Sequence, residues 1–305
     1  MRTLAATALT TLALTSLVAC GNDSKTAADL GCGDDPQIKI TETGSKPLEK
    51  LELAPQEGES IELDTTMDMT VSVRADGSTV PTDSIPSMTL GMTATVESVT
   101  DDEIGMSFEY DKVSVDGDDQ VESKLEGLIG TTGTITTDTT GAYVDGTIEP
   151  APGMDTQMEG VLEQFEQQLA NLTVPLPDEA VGQGATWEVT TPVELNGLEA
   201  CNSYTYELTE RNGTEYELDV DIDQEMAPGP VDQDGVDAKL IEGSTQGSGT
   251  AHGNLSMPLT VTGTNEVESS TSMEVEQGDE TQDVESDIEM SMTVGQRNAS
   301  TKGES

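Results

Sequence analysis

The stretch Asp64-Thr-Thr-Met-Asp-Met-Thr-Val-Ser-Val73 sets Met67, Met69, Val71 and Val73 on one side and Asp64, Thr66, Asp68, Thr70 and Ser72 on the other. A period of two is that of a pleated strand, and an apolar face opposed to a polar one marks a strand buried on one side only. Ile288, Met290, Met292 and Val294 alternate with Asp287, Glu289, Ser291 and Thr293 in the same way. Turn-forming residues separate such runs: Ala75-Asp76-Gly77, Asp101-Asp102, Asp116-Gly117, Asn196-Gly197, Arg211-Asn212-Gly213 and Gln277-Gly278-Asp279. This spacing predicts a meander of antiparallel hairpins and a mainly β fold.

One segment departs from the pattern. Met158, Val161, Leu162, Phe165, Leu169 and Leu172 recur at helical spacing, with Glu159, Glu163, Gln164, Glu166 and Gln167 opposite them. Thr156 and Glu159 form a capping box, and Asn171 with Pro175 and Pro177 supplies the stop, which bounds a helix at about 155–171. Its apolar stripe needs a partner, and the concave face of the sheet is the simplest one. The expected architecture is a large curled antiparallel sheet, half-barrel-like, with this helix on its concave face and residues 37–296 in a single domain.

The flanks of the helix resemble each other. Gly58-Glu-Ser-Ile-Glu-Leu63 has the pattern of Gly184-Ala-Thr-Trp-Glu-Val189, the hairpin at Thr100–Glu103 that of Arg211–Gly213, and Lys124-Leu-Glu-Gly127 that of Lys239-Leu-Ile-Glu-Gly243. An internal duplication of a sheet unit accounts for this, as does coincidence between Thr/Glu-rich hairpins, and the sequence leaves both open.

Composition narrows the partners. Sixty acidic residues against 12 basic ones give a formal net charge of −48, a surface that repels nucleic acid and anionic headgroups. With aromatic residues at 3%, the core has to be built from Val, Leu, Ile and 13 methionines.

Arg2 is followed by an apolar, Thr-containing run to Ala19, too short for a comfortable membrane span, which ends in Leu17-Val18-Ala19-Cys20. That ending resembles a bacterial lipobox. The resemblance implies a signal peptide at 1–19, a diacylglyceryl group on the Cys20 thiol, an acylated N-terminus, and a location on the extracytoplasmic face of a cell membrane. Residues 20–36 are small and polar, a flexible tether, and 297–305 read as a disordered tail. Lipidation of Cys20 leaves Cys32 and Cys201 as an even pair in an oxidising space, so a disulfide between them is expected.

Leu172-Thr-Val-Pro-Leu-Pro-Asp-Glu-Ala-Val-Gly-Gln-Gly-Ala-Thr-Trp-Glu-Val189 resembles an uncharacterised family of bacterial lipoproteins, in which a helix leads into Pro-Leu-Pro and a Gly-Ala-Thr-Trp strand start. The motif is structural and transfers no catalytic residue. The expected architecture is also loosely similar to that of half-barrel lipid carriers of the cell envelope, a likeness of shape alone.

Candidate chemistry is sparse. His252 is the only histidine and has no nucleophile motif beside it. No Gly-x-Ser-x-Gly, Walker or dinucleotide fingerprint occurs. A non-enzymatic protein without cofactor is expected. Asp219, Asp221 and Asp223 share a strand face, which diverges them, whereas Asp232, Asp234 and Asp237 fall in what reads as an acidic loop, the weak candidates for calcium. Strand methionines fill cores and also line adaptable pockets. An apolar ligand such as a lipid would on this basis sit between Leu162, Phe165 and Leu169 of the helix and Met69, Met92 and Met290 of the sheet. The expected role is structural or interaction-based at the envelope, with membrane contact through Cys20, and carriage of an apolar ligand is the alternative.

Overall fold

In the computed structural model the alternating stretch lies within a 16-residue strand, Ser60–Ala75 (β2). The residues described are 27–33, 36–81, 85–154, 162, 169–195, 198–233, 236–277 and 280–297. The other strands are β1 (Gln37–Thr43), β3 (Ser78–Val80), β4 (Met88–Val99), β5 (Glu103–Val115), β6 (Thr132–Asp138), β7 (Tyr143–Glu149), β8 (Ala185–Leu195), β9 (Leu198–Asn212), β10 (Glu215–Met226), β11 (Gly229–Gln233), β12 (Val236–Asn254), β13 (Met257–Gln277) and β14 (Glu280–Gln296). All pair antiparallel into one 14-stranded sheet of order β1-β8-β9-β10-β12-β13-β14-β2-β4-β5-β6-β7, with β3 on β2 and β11 on β12. The sheet is open, with β1 and β7 as its ends.

The order divides into two units that match row for row. In the first, Ile61 lies opposite Ala94, Ala94 opposite Phe108, Phe108 opposite Gly133 and Gly133 opposite Ile148. In the second, Trp187 lies opposite Tyr206, Tyr206 opposite Val220, Val220 opposite Gly249 and Gly249 opposite Asn265. The neighbouring row, Val96–Met106–Ile135–Gly146, has its mate in Leu208–Leu218–Ala251–Gly263. Both units begin at a glycine in the left-handed region, Gly58 at φ 83° and Gly184 at φ 79°, a conformation other residues adopt only under strain. Each of these glycines donates its N–H to its mate's counterpart, Val96 or Leu208. The similarity at Gly58 and Gly184 and at the Thr100 and Arg211 turns is therefore a structural duplication, whereas Lys124–Gly127 is helical and Lys239–Gly243 lies in β12, so that match has no structural counterpart; β14 joins the two units by pairing with β13 and β2.

The inner faces of both units and two extended connections form one core. Trp187, Leu208, Leu218, Val96, Ile104 and Ile135 are almost fully buried there, and Ile40 of β1 and Ile148 of β7 pack on the same cluster. Leu51 and Leu53 before β2, with Val174, Leu176 and Val181 before β8, cover the sheet from the concave side. Their backbone is tied to both hairpin ends: Ala54 N–H donates to Leu255 O at 2.7 Å and Leu176 N–H to Thr140 O at 2.8 Å. Trp187 stacks on Tyr206 with ring centres 5.5 Å apart and donates its indole N–H to Pro175 O at 3.0 Å, so its buried donor is satisfied.

The helix expected at about 155–171 lies outside the described residues except for Leu162, which is buried against Leu90 and Leu128, and the 3-10 turn Leu169–Leu172. A helix the sequence did not disclose, α1 (Asp119–Leu125), follows β5. Asp118 caps it by accepting from the N–H groups of Gln120 and Val121, and Glu122 reaches back to accept from Val115 N–H. The expected loop around Asp232 and Asp237 is instead a hairpin, β11–β12, with those two residues directly opposite each other. The alternation of Val231 with Asp232 and of Ala238 with Asp237 suits a strand, and the acidic composition had masked it.

On the outer face a charge network ties four adjacent strands. Asp64 accepts from Lys112 Nζ at 2.6 Å and from Arg297 Nε at 2.8 Å, and Arg297 is ion-paired with Asp111 at 2.7 Å. Gly91 leaves room for it, since a Cβ there would collide with Arg297, Asp64 and Lys112.

Two measurements test this account. Trp187→Ala should lower stability by about 3–5 kcal/mol, and Ile61→Ala at the mate position by about 2–5 kcal/mol, in urea unfolding followed by circular dichroism; losses under 1 kcal/mol at either site would remove the shared core. Burial pushes the Asp111 carboxyl up, but its bonds to Arg297 and Thr93 and the charge of Arg297 outweigh this and hold it below its usual value. A depressed pKa stabilises the fold at pH values above the ordinary Asp value, about 3.9, and that stability is lost as pH falls through the lowered value. Asp111→Asn should flatten this acid limb in pH-dependent thermal melts, by about 1 kcal/mol at most for a half-buried surface pair.

Candidate functional site

Cys32 and Cys201 are joined by a disulfide, with Cα atoms 5.6 Å apart. Cys201 sits in β9 between Pro192 of β8 and Glu225 of β10, and the 3-10 turn Ala27–Leu30 packs over it. Ala27 N–H donates to Glu199 Oε2 at 2.6 Å. The start of the described chain is thereby fixed to one end of the sheet, near the close of β8 and the start of β9. Cys20 itself lies outside the described residues.

The apolar set expected to line a ligand cavity is not gathered around one space. Met69 and Met290 face each other across the β2–β14 pair, half-buried. Leu162 belongs to the cluster under α1, Leu169 and Met92 to the main core, and Phe165 lies outside the described residues. One apolar cavity among the described residues holds about 80 Å³ and is lined by Leu63, Met92, Leu172, Tyr204, Tyr206 and Met292, among others. Of the five expected residues that are described, only Met92 borders it. Space for a few water molecules, each occupying about 30 Å³ in the liquid, is far short of a lipid chain.

The acidic candidates spread rather than converge. Asp219, Asp221 and Asp223 are exposed along β10, and Asp223 is bonded to Gln246. Of the second set, Asp234 lies outside the described residues. No group of three or more carboxylate, histidine or cysteine residues that could hold a metal ion occurs among the described residues.

A larger, polar space was not anticipated. Among the described residues the β13–β14 pairing ends at Gly263 and Val294, beside register shifts at His252–Asn254 in the β12–β13 hairpin. The resulting cleft holds about 500 Å³ and takes in Glu59, Ser60 and Ile61 of the β2 start, Glu210, Glu215 and Glu217 of the β9–β10 hairpin, and His252. The His252 ring lies directly across the β10–β12 pair from Glu217, with Nδ1 3.5 Å from its Oε2. The Tyr216 ring sits against Gly253, where a Cβ would strike it, and burial pushes its hydroxyl pKa far up. The cleft is thus an acidic wall over an apolar floor of Ile61, Met257 and Val261. No sequence signal marked it, since it arises from where two ladders stop. Among the described residues no helix is long and apolar enough to cross a membrane.

Residues 153–258 match the model of a family of unknown function, DUF6263. The match covers about a third of the chain, from the Leu172–Val189 segment through β8 to β12, so the chain is similar to that family across its second unit. No curated protein matches the chain.

The disulfide closes a sequence separation of 169 residues, for which loop entropy alone sets a ceiling of about 4–5 kcal/mol. Cys201→Ala should cost about 2–5 kcal/mol in denaturant unfolding. Peptide mapping under non-reducing conditions should recover Cys32 linked to Cys201, and alkylation of both thiols in denatured, unreduced protein would refute the bond.

Proposed function

We propose that this chain is a non-enzymatic, extracytoplasmic protein held at a cell membrane by lipid on Cys20, and that its duplicated sheet serves as an interaction scaffold. The observation that carries this reading is Leu17-Val18-Ala19-Cys20 at the end of an apolar run, with the disulfide partner Cys32 a short tether beyond it. Disulfides persist in oxidising compartments, which agrees with export. From Cys20 to Ala27 the chain can span at most about 25 Å. Because Ala27 is fixed to Glu199, the β8–β9 end of the sheet would stand nearest the bilayer. The acidic surface disfavours close contact with anionic headgroups, so the domain would stand on its tether rather than lie on the membrane.

An interaction role is favoured over catalysis by what the reactive side chains are engaged in. Cys32 and Cys201 are bonded to each other and the sole imidazole faces Glu217. It is favoured over lipid carriage by the small size of the apolar cavity and by the two connections that fill the concave side.

Cys20→Ser should move the protein from the membrane pellet to the soluble or secreted fraction, while wild type stays in the pellet through salt and carbonate washes. Intact-mass measurement should show the acyl chains on wild type only. Retention of the variant in washed membranes would overturn the anchoring.

A further inference from the structure

We propose that the cleft between the ends of β13 and β14 takes a short, extended, lysine- or arginine-bearing segment of a partner protein, added as a strand beside Glu59–Ile61. This deepens the interaction role proposed above and needs that reading only for the partner's location, since anchoring is decided separately by Cys20→Ser.

The two units supply the first argument. Trp187 of the second unit is the mate of Ile61 of the first, and each pairs on one side with its own hairpin strand, Tyr206 or Ala94. On the other side the second unit carries β1, with Ile40 opposite Trp187, Glu42 opposite Thr186 and Thr43 opposite Ala185. Among the described residues the same backbone in the first unit, Glu59–Ile61, borders the cleft instead, because the β14 side reaches only to the Arg297 N–H bond to Glu62 O, just past the pair of Gln296 with Leu63. A strand thus binds in the repeat-mate of this position within the same molecule.

Backbone direction agrees. Along a ladder strand, successive residues turn their N–H and C=O to opposite sides. Glu59 O accepts from Val96 N–H of β4, whereas Glu62 O accepts from Arg297 N–H on the β14 side. Ser60 has the parity of Glu62, so its main-chain groups are directed to the cleft side, as a template for strand addition requires.

Charge selects the partner. Glu59, Glu210, Glu215 and Glu217 line the cleft, and among the described residues no lysine or arginine does. A concave wall of one sign focuses its potential and draws the opposite charge. Below it, buried Ile61 and Met257 offer apolar contact to every second side chain of an extended segment. The segment that fits alternates basic and aliphatic residues over about the length that β1 sets against Ala185–Trp187.

The test uses the mature full-length chain and three fluorescein-labelled, end-capped peptides: Lys-Ile-Lys-Ile-Lys, Glu-Ile-Glu-Ile-Glu, and the lysine peptide with alternate amides N-methylated. Fluorescence anisotropy should show saturable, salt-sensitive binding of the first and none of the second. N-methylation, which removes the ladder donors, should weaken binding by about tenfold or more, as should Glu59→Gln with Glu217→Gln, which removes two charged partners. Thermal melting should confirm that this double variant is folded, and hydrogen exchange should show the Ser60 amide slowed only when the lysine peptide is bound. Absent binding, equal binding of the acidic peptide, or undiminished binding after N-methylation would overturn the proposal. So would a Ser60 amide already protected in the free protein and freed by removal of residues 298–305, which would give the cleft to the chain's own C-terminus.

Discussion

One-sided burial fixes this molecule. Most of the long strands have an apolar face and a polar one, and a slip of one residue would exchange them along the whole length. Register is therefore strongly determined wherever the inner face meets the core. The rows through Ile61 and Trp187 are the expression of that constraint, and the core connections at Leu51–Leu53 and Val174–Val181 pack onto them. With only two Phe and one Trp in the chain, no single unit holds enough large side chains to enclose itself. Joining two units through β14 puts Trp187, Tyr206 and Tyr216 in the same cluster as Phe108, Ile104 and Ile135.

The inner face of β12 shows how the sheet accommodates bulk beside it. Gly249 and Gly253 sit where Asn265 and the Tyr216 ring lean across from neighbouring strands, closer than any Cβ would allow. Interior glycines weaken a strand by themselves, and here the loss is offset by the side chains that fill the space above them. Gly133 in the first unit does the same for Phe108. The glycine of Phe108's row and that of Val220's row occupy matching places, Gly133 and Gly249, so the duplication preserved the spaces as well as the bulk.

How much of this was legible in the sequence follows from range. Alternation at Asp64–Val73 and Asp287–Val294 is a local signal and gave the strands. The pairing of Cys32 with Cys201 followed from counting, whereas the likeness of the Gly58 and Gly184 segments left duplication and coincidence both open until the paired rows decided it. Helix α1 was hidden because seven residues carry little periodicity, and its stability comes from Asp118 and from the Glu122 contact to Val115. The β11–β12 hairpin was hidden by its carboxylates. The cleft could not be read at all, since it depends on two ladders ending at Gly263 and Leu63, a property of pairing rather than of any segment.

An open sheet has edges, and edges invite pairing with any chain that passes. The outer edges here are short and charged: β1 carries Lys39 and Glu42, and β7 carries Asp145 and Glu149, each strand only seven residues long. Added charge and brevity oppose uncontrolled growth of the sheet at both ends. The proposed site at Glu59–Ile61 differs in kind, because it lies inside the order, at the start of β2 beside the end of β14, and borders a cleft that Glu59, Glu210, Glu215 and Glu217 line. A strand entering there has to match length, charge and alternation together, whereas one approaching β1 or β7 need match none of them. Selectivity in strand addition comes from such confinement, and the parting of the two ladders supplies it without any residue type that a motif would reveal.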